Sequence, residues 1–124
     1  AVIRVVPRVE REEFINVGVI LFCRTRRFLA AEVEMDEARL AALWPLLNLA
    51  EVREELEAIP VVCAGGKAAG PIGELTQAER WHWLVSPRST VIQTSPAHAV
   101  ISDDPPATLA HLMRTMVRQA KSAE

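Results

Sequence analysis

No stretch of the 124-residue chain approaches the run of about 20 apolar residues that carries a helix across a bilayer. The longest uninterrupted apolar run is Val17 to Cys23, and even that contains Gly18. A membrane-spanning role is excluded and a soluble protein is expected. Close-spaced cysteines are missing too. Cys23 and Cys63 stand singly, in Leu-Phe-Cys and Val-Val-Cys settings, which excludes thiolate zinc sites and paired redox cysteines. Both are expected as reduced core residues. With no secretory signal in view, that points to a cytoplasmic compartment. Neither a metal site nor a cofactor is legible.

A strong charge of one sign is also lacking. The net charge is −2, so the domain as a whole carries no nucleic-acid footprint and nucleic acid is not the favoured partner. The distribution is uneven all the same: residues 1–27 carry six arginines against three glutamates, and residues 28–60 carry eight acids against two arginines. The glycine-rich stretch AGGKAAGPIGEL (residues 64–75) does not match G-x-x-x-x-G-K-[ST], because Lys67 directly follows Gly65-Gly66 and precedes Ala68. A nucleotide-hydrolysing P-loop is therefore excluded. Repeats, low-complexity tracts and interdomain linkers are absent, and one domain over residues 1–124 is expected.

What is present is an ordinary globular composition, 50% apolar and 24% charged. Val2–Val6, Phe14–Cys23 and Phe28–Glu34 read as three strands of an antiparallel meander, the first with Arg4 in its middle. Alternation along the second puts Ile15, Val17, Val19, Leu21 and Cys23 on one face and Asn16, Gly18, Ile20 and Phe22 on the other. Both faces are mostly apolar, so this strand is predicted to be central, and Asn16 and Gly18 are its exceptions. Asp36, Asn48, Thr76 and Asp104 each stand where a helix should begin. The helices carry Leu40, Leu43, Trp44 and Leu47; Leu49, Val52, Leu56 and Ile59; Trp81 and Leu84; and Leu109, Leu112, Met113, Met116 and Val117 on their apolar sides. Pro60 is expected to end or bend the second of these. The fold class is α+β, an antiparallel sheet of about four strands with helices packed against it.

The segment SPRSTVIQTSPAHAV (residues 86–100) concentrates hydrogen-bonding side chains and reads as a strand over Ser89–Ser95. Arg88, Ser89 and Thr90 offer a guanidinium fork and two hydroxyls suited to a phosphate or carboxylate, with Lys67 in reach from the glycine-rich loop. The same hydroxyls also suit cross-strand pairing and turn capping. Arg88, Gln93 and His98 lack an obvious structural duty. His98 precedes Asp103 and Asp104 at spacings that fit no compact metal motif. Asn16 and Gly18 suit a bulge or a close helix contact, or one rim of a pocket with the turn Arg8–Glu13. A metal-dependent nuclease would need Glu10, Glu12 and Glu13 to converge with Asp36 or Asp103. Trp44 is expected in the core. Trp81 and Trp83 cannot share a helix face, so one of them is expected near the surface beside Arg80 and Arg88.

The segments VPRVEREEFINVGVILF (residues 6–22) and GPIGELTQAERWHWLVSPRSTVIQTSPAH (residues 70–98) resemble the bacterial family known as domain of unknown function 3037. The resemblance implies no established activity, substrate or catalytic residue. Members are often encoded beside a HipA-like kinase, which implies an accessory or partner role. Two functional readings follow. One is a protein-interaction domain with an anion-binding surface formed by Arg88, Ser89, Thr90, Gln93, His98, Asn16 and Lys67. The other is a small phosphate-directed enzyme, of nuclease or phosphotransfer type, using Arg88 with His98 or Glu13. Oligomeric state is not legible.

Overall fold

In the computed structural model, which describes residues 1–88 and 90–118, four strands form one antiparallel sheet. They are β1 (Val2–Val5), β2 (Ile15–Cys23), β3 (Phe28–Val33) and β4 (Ile92–Thr94), in the order β3-β2-β1-β4. β-branched and aromatic residues fill β1 to β3, as the pleated, half-buried surface of a sheet favours. β4 is shorter than the strand predicted over residues 89–95, because the Thr90 hydroxyl folds back to donate to the Ile92 carbonyl at 2.8 Å. The predicted meander and central position of β2 hold.

Each predicted cap opens a helix. Asp36 accepts from the Arg39 amide ahead of α1 (Glu37–Leu43), and Asn48 from the Glu51 amide ahead of α2 (Leu49–Ala64). Thr76 and Glu79 form a reciprocal capping box on α3 (Gln77–Val85), and Asp104 accepts from the Ala107 amide ahead of α4 (Pro105–Leu112). Pro60 does not end α2, which runs on to Ala64 and stops at Gly65. Burial of Val62 and Cys63 in the main core offsets the backbone bond lost at the proline.

Two apolar clusters sandwich the sheet. α1 to α3 pack on one face over Ile3, Val5, Ile15, Val17, Ile20 and Leu29, with Phe22 stacked on Trp81. α4 and the π-turn that follows it (Met113–Val117) cover Val19, Leu21, Phe28 and Ala30 on the other. This corrects the strict alternation expected along β2. Ile3 pairs with Gly18 but Arg4 pairs with Asn16, so Val17 is an extra residue in β2, a β-bulge. Val17 and Gly18 consequently face the same way, and every residue after them is inverted. Ile20 and Phe22 join Ile15 and Val17, while Val19 and Leu21 join Asn16. The wider π-turn has a parallel effect, burying Leu109, Met113 and Val117 and leaving Met116 outside. Cys63 is buried as expected, whereas Cys23 sits half-exposed at the end of β2.

Candidate functional site

The sequence-predicted residues disperse. Arg88 has a structural duty: its Nη2 donates to the Trp83 carbonyl at 2.6 Å and its guanidinium lies 4.6 Å from the Trp83 ring centroid. It thereby ties down the exposed end of α3, and Trp83, 41% exposed, is the surface tryptophan. Arg80, by contrast, is buried and donates to the Leu75 and Cys63 carbonyls. Arg88 and Thr90 line a concavity of about 140 Å³ with Glu55 and Ile59. His98 opens onto a different one, of about 230 Å³, with Phe22, Cys23, Trp81 and Ser102. Lys67 is exposed at the start of the 3-10 turn Lys67–Glu74 and lines neither. Ser89 lies outside the described residues. Glu13 is paired with Arg11. The groups that the phosphate-directed enzyme reading needs in one cleft therefore stand apart. Among the described residues, no three of His, Cys, Asp and Glu approach closely enough to hold a metal ion.

Two predicted residues do come together, around one that sequence reasoning passed over. On the face covered by α4, the pairing sets Asn16 of β2 opposite Arg4 of β1, and Arg4 opposite Gln93 of β4. The result is a polar row, Asn16–Arg4–Gln93, across three strands. Among the described residues the helical layer covers β2 and β3 but leaves this end open, and Arg4, Gln93, Val6, Val9, Glu12 and Phe14 line a concavity of about 470 Å³. That falls within the range of roughly 300–1,000 Å³ usual for small-ligand sites. The bulge builds the row, because without the inversion after Val17 the residues Asn16, Val19 and Leu21 would not share a face.

The row is incompletely satisfied. Asn16 Nδ2 donates to the Met116 carbonyl at 3.0 Å and Gln93 Nε2 to the Thr90 carbonyl at 2.9 Å, which fixes both amides. Asn16 Oδ1 and Arg4 Nε are buried without a hydrogen-bond partner among the described residues. The Arg4 guanidinium lies over Phe14, 4.0 Å from the ring centroid, and forms no ion pair among the described residues. Its neighbours differ. Arg8 pairs with Glu10 and also stacks on Trp44, and Arg11 pairs with Glu13. Glu12 is held in the left-handed region at φ 57° where the short helix Val9–Arg11 ends, and it stands on the rim with its carboxylate unpaired among the described residues.

Residues 1–117 match the profile of a family described as a protein of unknown function, DUF3037. The chain belongs to this family. No curated protein and no solved structure matches it. The resemblance carried by the segments 6–22 and 70–98 is thus upheld over almost the whole chain, and both segments reach this end of the sheet: the first supplies Asn16 to the polar row and Val6, Val9, Glu12 and Phe14 to the concavity, the second Gln93 to both. Arg4 lies just ahead of the first. The signal that would have found it was a lone charge in the middle of a β-branched strand, since a central strand tolerates a half-buried arginine only at a cost.

Proposed function

We propose that this family member is a non-catalytic accessory domain whose open sheet end, centred on Arg4 with Asn16 and Gln93, accepts an anionic group of a partner. The observation that carries the reading is Arg4 itself: its Nε is buried without a partner among the described residues, while Arg4 lines a solvent-open concavity. An arginine so placed is preorganised for a charge-assisted bond that the folded chain does not supply. This keeps the anion-binding expectation but moves its centre from Arg88, which is engaged at the end of α3, to Arg4. Gln93 and Asn16 belong to the surface in both versions. The gene context of the family makes a HipA-like kinase the first partner to test. Co-expression of the chain with a HipA-like kinase should give a co-eluting complex on size exclusion. Arg4→Ala should lose that complex and Lys67→Ala should keep it. Loss of neither, or equal loss of both, would count against the reading.

A further inference from the structure

Resting on that reading, we infer that the Arg4 concavity takes a carboxylate presented by a polypeptide segment rather than a phosphate group. Among the described residues, Arg4 is the only cation lining it. Phosphate sites gather several donors, commonly the backbone N–H groups of a helix N-terminus or a nest. Here one of the two N–H groups of the Gln93 amide is taken by the Thr90 carbonyl, which leaves at most one side-chain donor beside Arg4 from that residue. The Glu12 carboxylate on the same rim repels a dianion about twice as strongly as a monoanion at equal distance. One planar fork facing one carboxylate fits the donors present.

The rest of the lining explains why the carboxylate should arrive on a polypeptide. Val9 and Phe14 are each 45% exposed at the edge of the concavity, beside the arginine. Apolar side chains flanking an acidic residue would cover them, and an aromatic–arginine pair is the composition expected at the centre of a protein interface. Gln93 also lines the concavity, and its amide carries an acceptor oxygen that suits a backbone N–H of an extended segment. The charge arrangement adds selectivity. Arg8 and Arg11 are neutralised by Glu10 and Glu13, so a highly acidic segment gains nothing from them and meets Glu12. A single Asp or Glu between apolar residues is the complementary pattern.

The test is a titration of the isotope-labelled chain followed by NMR at the Arg4 Nε–H and the backbone amides of Phe14 and Gln93. Three probes are compared: an acetylated and amidated leucine–aspartate–leucine tripeptide, its asparagine counterpart, and inorganic phosphate. The aspartate peptide is expected to shift these signals saturably, with the asparagine peptide and phosphate each at least about tenfold weaker, the loss of one charge-assisted bond. Arg4→Met should abolish the response. If that variant does not fold, Gln93→Leu should weaken peptide binding and leave phosphate unaffected. Phosphate binding at Arg4 as tightly as the aspartate peptide would overturn the carboxylate inference and leave the anion-accepting surface standing. No response at Arg4 to any probe would overturn both.

Discussion

Gly18→Ala tests whether the bulge in β2 is the device that sets the two faces of the sheet. A Cβ at this position would lie 2.5 Å from the Glu32 carbonyl oxygen, 3.0 Å from Ile3 Cδ1 and 3.1 Å from Val33 Cγ1. The first contact is the decisive one, because it is made to the backbone of β3, which is held by its ladder to β2 and has no rotamer in which to retreat. Relief requires β2 and β3 to separate or the bulge to slide, and either displaces Ile3, Ile20 and Val33 from the main core. Overpacking of this kind costs about 1–3 kcal/mol. For a domain of this size that is a fall in melting temperature of roughly 4–12 °C. Calorimetry or thermal circular dichroism measures it directly. Because the bulge also places Asn16 beside Arg4, the variant should weaken partner binding even at temperatures where it is fully folded. A variant that melts with wild type would show that the β2–β3 spacing yields freely, and the account of the two faces would fail with it.

The two cysteines should differ in reactivity. The Cys23 thiol is held below its ordinary value by the Thr25 hydroxyl and the Arg26 amide, while burial pushes Cys63 up to about 11. Iodoacetamide at neutral pH should therefore label Cys23 of the native chain and spare Cys63, as read by peptide mass spectrometry; equal labelling refutes it. Glu79 in the α3 capping box is held below its ordinary 4.5 by the Thr76 backbone N–H and hydroxyl. A depressed carboxyl stabilises the fold above its unfolded value and loses that contribution as pH falls through the folded one. Glu79→Gln should thus be less stable than wild type to urea at neutral pH, with the gap closing well below 4.5. A gap independent of pH contradicts the assignment.

The features legible in the sequence are those decided within a few residues. Asp36, Asn48, Thr76 and Asp104 cap their helices because the acceptor and the amide it serves lie three residues apart. β1 to β3 follow from β-branched and aromatic runs for the same reason. A bulge was among the readings that Asn16 and Gly18 allowed, but its consequence was not legible, since Val17 is an extra residue only relative to β1, a different stretch of chain, and one slipped residue inverts all that follow. The π-turn that exposes Met116 depends on how α4 meets β2, again a distant contact. The candidate site divides along the same line. Gln93 and Asn16 stood out as polar residues in strands. Arg88 looked free because its partner, the Trp83 carbonyl, is a backbone group, and sequence shows no backbone geometry. Arg4 was visible as a charge in an apolar strand, but its open side exists only because the α4 layer stops short of β1 and β4.

Among the described residues, Arg4 and Arg80 each have a buried Nε without a partner, and their contrast tests the role proposed for Arg4. Arg80, only 8% exposed, donates to the Leu75 and Cys63 carbonyls and so joins the end of α2 to the start of α3. Removing it strands two carbonyls in a dry environment, and Arg80→Met should cost about 1–3 kcal/mol. The Arg4 guanidinium makes no hydrogen bond or ion pair among the described residues. Its replacement by Met removes a desolvated, unpaired N–H worth about 1–3 kcal/mol of penalty and forfeits the contact with Phe14, worth about 0.5–1 kcal/mol. The balance leaves Arg4→Met equal to wild type or more stable by up to about 2 kcal/mol. Urea denaturation of both variants against wild type measures the difference, with the slope of the transition checking that neither fold has changed. An arginine that lowers stability where it stands is what the proposed binding role predicts. If Arg4→Met proves as damaging as Arg80→Met, the guanidinium is holding the sheet together, and the open end of the sheet loses its claim to be a binding surface.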